Sequence, residues 1–262
     1  MEQDDRDIED LPEAPRRRGI YLLPNLFTTA GLFAGFYAIV AAMNTRYAAA
    51  AVAIYVAMIM DMLDGRVARL TNTQSDFGKE YDSLSDMASF GLAPALVIYE
   101  WALSKMGTFG WGWGKLGWLA SFVYAAGAAL RLARFNSCHD TADKRYFQGL
   151  ASPAAAALIA GLVWVCDDLG IKGEQMLWIS FIMTLAAGGL MVSNVRYYSF
   201  KDIDLRNRVP FFVMLLVVLV FVFTSIDPPK VLFTVALLYG LSGPVQGLIE
   251  MRKARSAGGV QP

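Results

Sequence analysis

Four aspartates carry the most chemistry in this sequence. Asp61 and Asp64 lie three residues apart and Asp82 and Asp86 four apart, within the stretch DMLDGRVARLTNTQSDFGKEYDSLSD. On a helix either spacing puts both carboxylates on one face, within about 6 Å along the axis. Apolar runs precede Asp61 and follow Asp86, so one pair closes a greasy helix and the other opens the next, across a short loop. At an effective dielectric near 20, two carboxylates about 4 Å apart repel by roughly 4 kcal/mol. Beside hydrocarbon such a cluster demands positive charge between its members. The single histidine, His139, and the two cysteines, Cys138 and Cys166, lie far along the chain, so the donors are all oxygen. That set favours hard divalent cations, Mg2+ or Mn2+, which commonly hold phosphates. Arg66 and Arg69 offer planar forks for phosphate oxygens. Gly65 and Gly78 allow close approach of backbone or ligand, and Ser75 adds a hydroxyl. Together these residues read as a site for a metal-bound pyrophosphate attacked in line, with one carboxylate free to take a proton from the attacking hydroxyl.

The elements that must hold these residues are membrane helices. Apolar residues make up 56% of the 262, and the mean hydropathy is +0.41. Apolar stretches of about 17 to 23 residues alternate with short polar loops, the pattern of a polytopic helical bundle. The sequence predicts an all-α fold of about eight spans: Leu23–Met43, Tyr47–Asp64, Lys79–Leu103, Leu116–Phe135, Pro153–Cys166, Met176–Asn194, Pro210–Ser225 and Val231–Ile249. Pro24-Asn25 reads as a helix start, and Ser152-Pro153 as a cap followed by proline at the first helical position. The run MGTFGWGWGKLGW reads as a turn whose tryptophans suit the bilayer interface, and AAGAAL as close helix packing. Cys138 and Cys166 fall near opposite ends of one span, too far apart for a disulfide. Residues 1–22 read as a tail, acidic and then basic, rather than a cleavable leader, residues 23–250 as the membrane domain, and 251–262 as a second tail.

The formal net charge is zero, which gives no ground for a nucleic-acid partner. The distribution of charge is more telling. With the N-terminus inside, the inner loops and tails hold 18 of the 23 basic residues, leaving Arg46, Lys105, Lys115, Lys172 and Lys230 outside. This bias places both termini and the aspartate stretch at the cytoplasmic face. Arg131 and Arg134 end the fourth span there, where positive-inside anchoring and substrate binding are both open to them. Arg196 and Lys201 read more simply as anchors.

Written out, the central pattern is D-x2-D-G-x2-A-R-x8-G-x3-D-x3-D, from Asp61 through Asp64, Gly65, Ala68, Arg69, Gly78 and Asp82 to Asp86. It resembles the signature of the CDP-alcohol phosphatidyltransferase family at every fixed position. The resemblance implies transfer of a phosphatidyl group from CDP-diacylglycerol to an alcohol, with release of CMP, at a site for two divalent ions in a homodimeric membrane enzyme. It implies Asp61, Asp64 and Asp82 as metal ligands and Asp86 as ligand and general base. Gly65, Arg69 and Ser75 would hold the nucleotide or its phosphates. The stretches FGKEYDSLSDMASFGLAPA, RLARFN, FQGLASPAAA and LMVSNVRYYSFKD resemble the branch that uses L-serine, with Ala151 standing where that branch often has proline. Serine would need a cation for its carboxylate, and Arg131 and Arg134 are the candidates. The site would face the cytoplasm from a bacterial inner membrane, among membrane lipids. The alternatives are the same chemistry on glycerol 3-phosphate or an inositol phosphate, or a divalent-cation transporter, whose ligands would be expected nearer the midplane.

Overall fold

The computed structural model describes residues 22–71, 73, 75–137, 146–198 and 211–257. Among them the chain forms α1 (Leu22–Met43), α2 (Tyr47–Thr71), α3 (Asp76–Asp86), a π-helical turn (Met87–Leu92), α4 (Ala93–Trp101) and a 3-10 turn (Leu103–Phe109). There follow α5 (Trp111–Ser137), β1 (Tyr146–Gln148), α6 (Ser152–Asp168), α7 (Leu177–Val192), β2 (Arg196–Tyr198), α8 (Phe211–Ile226) and α9 (Pro228–Ala257). Because α3, the π turn and α4 run on as one rod, the described residues make eight helical rods. Five stretches are long and apolar enough to cross a membrane: Pro24–Met43, Tyr47–Thr71, Asp76–Phe109, Trp111–Ser137 and Gly173–Val192. The chain is a membrane helical bundle, with large side chains such as Phe33, Phe36, Leu130 and Ile182 exposed on its outside.

Small residues set the helix spacing. Ala38, Ala41 and Ala42 of α1 and Ala50, Ala51, Ala53 and Ala57 of α2 are all buried, so the two backbones pack closely along their length. Gly127, within the AAGAAL run of α5, crosses α7 at Gly188. A Cβ at position 127 would lie 2.6 Å from the Gly188 carbonyl oxygen, so this crossing requires glycine.

Several predicted boundaries move. The second span does not stop at Asp64: α2 continues to Thr71, because Arg66, Val67, Ala68 and Arg69 are adequate helix formers and water can solvate the exposed turns. The third rod starts at Asp76, not Lys79, with Ser75 as its cap: the Gly78 N–H donates to Ser75 Oγ at 3.0 Å. The Gly/Trp run is mostly helical rather than a turn. Its one break is Gly110, at φ +125°, between the 3-10 turn and α5. Trp113 and Phe109 pack on Trp178 there, with ring centroids 5.2 and 6.4 Å away. Ser152 does not cap α6; Ala151 holds that place and Ser152 is the first helical residue.

The fold is also not purely helical. β1 and β2 pair antiparallel, with Phe147 opposite Tyr197. Gly149, at φ +78°, turns the chain out of β1, and a Cβ there would lie 2.4 Å from the Met191 carbonyl oxygen. Tyr197 is fully buried and donates from Oη to the Gly240 carbonyl at 3.0 Å, which ties the ribbon to α9. Burial pushes its phenol up to about 12, so it stays a neutral donor. Cys166 is a free, buried thiol; Cys138, His139 and Lys201, the Arg196 side chain and both predicted tails up to residue 21 and from 258 lie outside what is described.

Candidate active site

The two carboxylate pairs meet. Asp61 and Asp64 project from the last turns of α2 and Asp82 and Asp86 from α3, and one oxygen each of Asp61, Asp64 and Asp82 lie within 4.8 Å of one another. Hard divalent ions take oxygen ligands at about 2.0–2.6 Å, so these three carboxylates can share one ion, and the donor set fits the expected cofactor. Asp86 stands beside this group and lines the same enclosed space. Thr28, Gly31, Ala57, Ser85, Ser89 and Phe90 close the space around the four.

What aligns α3 against α2 is α1. Helical spacing puts Tyr81, Ser85 and Ser89 on one face of the third rod and Asp82 and Asp86 on the next. Ser85 Oγ donates to the Thr28 carbonyl at 3.1 Å and Ser89 Oγ to that of Gly31 at 3.1 Å. Tyr81 Oη pairs with Thr29 Oγ1 at 2.9 Å. A Cβ at Gly35 would meet the Ser89 Cα at 2.8 Å, so the rods touch. On its other side Thr28, itself buried, donates from Oγ1 to Asp64 Oδ2 at 2.8 Å, with the Pro24 carbonyl 3.1 Å from the same hydroxyl. Thr28 thus orients one carboxylate from α2 while its backbone holds the helix that bears the other pair. Outer partners of metal ligands are worth about 10–100-fold in affinity. Thr28→Val, which keeps shape and removes the donor, is therefore expected to weaken Mn2+ binding by about tenfold or more, with Thr28→Ser restoring it. Titration of Mn2+ by electron paramagnetic resonance checks this.

Beside the carboxylates opens a cavity of about 240 Å³. Its walls include Asp64, Gly65 and Arg69 from α2, Ser75, Gly78 and Asp82 from the start of the third rod, and Pro24, Asn25 and Thr28 from α1. Arg69 folds back over Gly65: a Cβ there would lie 3.6 Å from Arg69 Nη1, so glycine keeps room beneath the guanidinium. Arg66 is exposed and lines no part of this cavity. An apolar groove of about 720 Å³ runs between α1 and α2, lined by residues including Leu26, Phe33, Tyr37, Val56 and Met60.

The arginines of α5 part company. Arg134 donates from Nη2 to the Val192 carbonyl at 3.2 Å and from Nη1 to Asn194 Oδ1 at 3.4 Å, satisfying the carboxyl end of α7. Arg131 instead turns inward, within electrostatic reach of Asp86 and of Tyr239 on α9. Its Nη1 donates to Ser152 Oγ at 2.7 Å, and its Nε is buried without a hydrogen-bond partner among the described residues. Thr28 and Ser85 escaped the sequence reading, which took Asn25 only as part of a helix start and Ser152 only as a cap. The signal for Thr28 was its place in the Thr28-Thr29 pair inside an apolar first span.

The aspartates, the glycine-arginine wall and the bundle around them define an integral membrane transferase of the CDP-alcohol phosphatidyltransferase family, to which this chain belongs: the family profile of that description matches residues 21–192. Within the family the chain is similar to a Helicobacter pylori protein named CDP-diacylglycerol–serine O-phosphatidyltransferase, 38% identical over 224 residues, covering 85% of this chain and 90% of that one. Proteins of the same name from Mycobacterium tuberculosis and Methanocaldococcus jannaschii are 36% identical over 186 residues and 34% over 149. The first covers 68% of this chain and 62% of its own, the second 57% and 63%.

Proposed function

We propose that this protein is a phosphatidylserine synthase, transferring the phosphatidyl group of CDP-diacylglycerol to the hydroxyl of L-serine and releasing CMP. The observation that carries the reading is the convergence of four carboxylates from two helices beside a cavity walled in part by Arg69, with an apolar groove on the adjacent face of α1. A substrate with a charged nucleotide head and acyl tails requires both. In this reading Asp61, Asp64 and Asp82, with Asp86, hold one or two divalent ions, Mg2+ or Mn2+, which when bound neutralise charge on the transferring and leaving phosphates. Gly65, Arg69 and Ser75 receive the nucleotide diphosphate. Asp86 accepts the proton of the serine hydroxyl as its oxygen forms the new P–O bond. The bond to the CMP phosphate breaks, and the proton leaves Asp86 to solvent. Arg131 takes the serine carboxylate, and Arg134, engaged at the end of α7, serves as a strut. The excess of basic residues on one side supports a site facing the cytoplasm from a bacterial inner membrane, and the family resemblance supports a homodimer.

The test is purified protein in mixed micelles with CDP-diacylglycerol and Mn2+ or Mg2+, offered serine, glycerol 3-phosphate or an inositol acceptor in parallel. CMP and phosphatidylserine with serine alone are the expected result. Turnover with a different alcohol overturns the acceptor and keeps the chemistry. No metal-dependent turnover with any acceptor overturns the enzyme and returns the cation-transporter reading.

A further inference from the structure

Arg131 is the one arginine at the end of α5 whose guanidinium is not spent on backbone. A guanidinium presents two forks, Nη1 with Nη2 at its tip and Nε with Nη2 along its side. Ser152 occupies the tip, at 2.7 Å from Nη1. The side fork begins at an Nε that is buried and has no partner among the described residues. A buried N–H of a charged group left unpaired is costly, and a carboxylate laid along that side would satisfy it with two parallel hydrogen bonds. Ser152 itself is fully buried, on the first turn of α6, where no cap role falls to it. In serine the hydroxyl and the carboxylate sit on neighbouring carbons, so the acceptor presents one group to a base and the other to a cation, and Arg131 and Asp86 are within electrostatic reach of each other.

We infer that Ser152 is a positioning residue for the acceptor: it pins Arg131 by Nη1 so that the Nε–Nη2 fork is presented, ready-oriented, to the carboxylate of the incoming serine. The inference rests on the serine reaction proposed above and deepens it, since a single side-on fork matches a planar carboxylate. A phosphate acceptor carries more charge and more oxygens than that fork can meet. Electrostatic reach between Arg131 and Asp86 agrees with this placement.

The experiment compares wild type, Ser152→Ala, Ser152→Thr and Arg131→Lys in mixed micelles with CDP-diacylglycerol and Mn2+, using L-serine and L-serinamide as acceptors. Ser152→Ala is expected to raise the KM for serine about tenfold and to shrink the preference for serine over serinamide by a similar factor. The KM for CDP-diacylglycerol should change much less. Ser152→Thr, which returns the hydroxyl, should recover most of the loss. Arg131→Lys, which keeps the charge and removes the fork, should lose the preference even where Ser152→Ala fails to fold. Wild-type discrimination in both Ser152→Ala and Arg131→Lys, while the wild type makes phosphatidylserine, overturns the subsite alone. An equal rise in KM for both substrates overturns it in favour of general damage. A wild type that makes no phosphatidylserine overturns the reaction itself.

Discussion

Asp86→Asn is expected to lower turnover by about 10²–10⁴-fold while leaving CDP-diacylglycerol binding measurable. The size is that of a positioned general base. The amide keeps the shape of the carboxylate, so the packing around Ser85, Ser89 and Phe90 has no reason to change. What it cannot do is take a proton from an alcohol. Asp86 borders the three carboxylates that come within 4.8 Å of one another without being one of them, so its loss should fall more heavily on chemistry than on metal affinity. Single-turnover formation of phosphatidylserine, read beside equilibrium binding of the nucleotide lipid, separates the two. Turnover within threefold of wild type would remove Asp86 as the base.

Asp64→Asn should act the other way round. Its carboxamide oxygen can accept the Thr28 hydroxyl as Asp64 Oδ2 does, at 2.8 Å, so the strut to α1 survives. The charge does not, and Asp64 both belongs to the three-carboxylate group and lines the nucleotide cavity. The loss of Mn2+ affinity should therefore exceed the roughly 10–100-fold that removing an outer partner costs, with activity falling in parallel and recovering partly at high metal concentration. Mn2+ titration followed by electron paramagnetic resonance reads the first effect, and the metal dependence of CMP release reads the second. Unchanged affinity would take Asp64 out of the ligand set.

How far the sequence reveals this site depends on which kind of information each part needs. That the four aspartates, Gly65 and Arg69 come together was legible because it follows from spacing along one or two helices, a local property. The rods themselves were legible because hydrocarbon enforces long apolar runs. Their ends were not. Whether α2 stops at Asp64 or Thr71 is decided by a few moderate helix formers in water, where propensities differ by tenths of a kcal/mol. Thr28 and Ser152 were invisible as site residues because each acts on a side chain far away in sequence, Asp64 and Arg131. Arg131 and Arg134, alike in sequence, could be told apart only when the bundle showed α7 claiming one of them. The ribbon of β1 and β2 is three residues long on each side, too short for alternation to stand out.

The π-helical turn at Met87–Leu92 has a consequence for how the rod can vary. A π turn accommodates one residue more than the α geometry on either side. The rotational phase of α4, whose Val97, Ile98 and Trp101 are buried in the bundle, is thereby offset from that of α3, which carries Asp82 and Asp86. The turn works as a phase shifter between the membrane interior and the reacting end. Ser89 and Phe90 of the turn also wall the space around the four carboxylates, so removing the extra residue would rotate α4 and reshape that wall in one step.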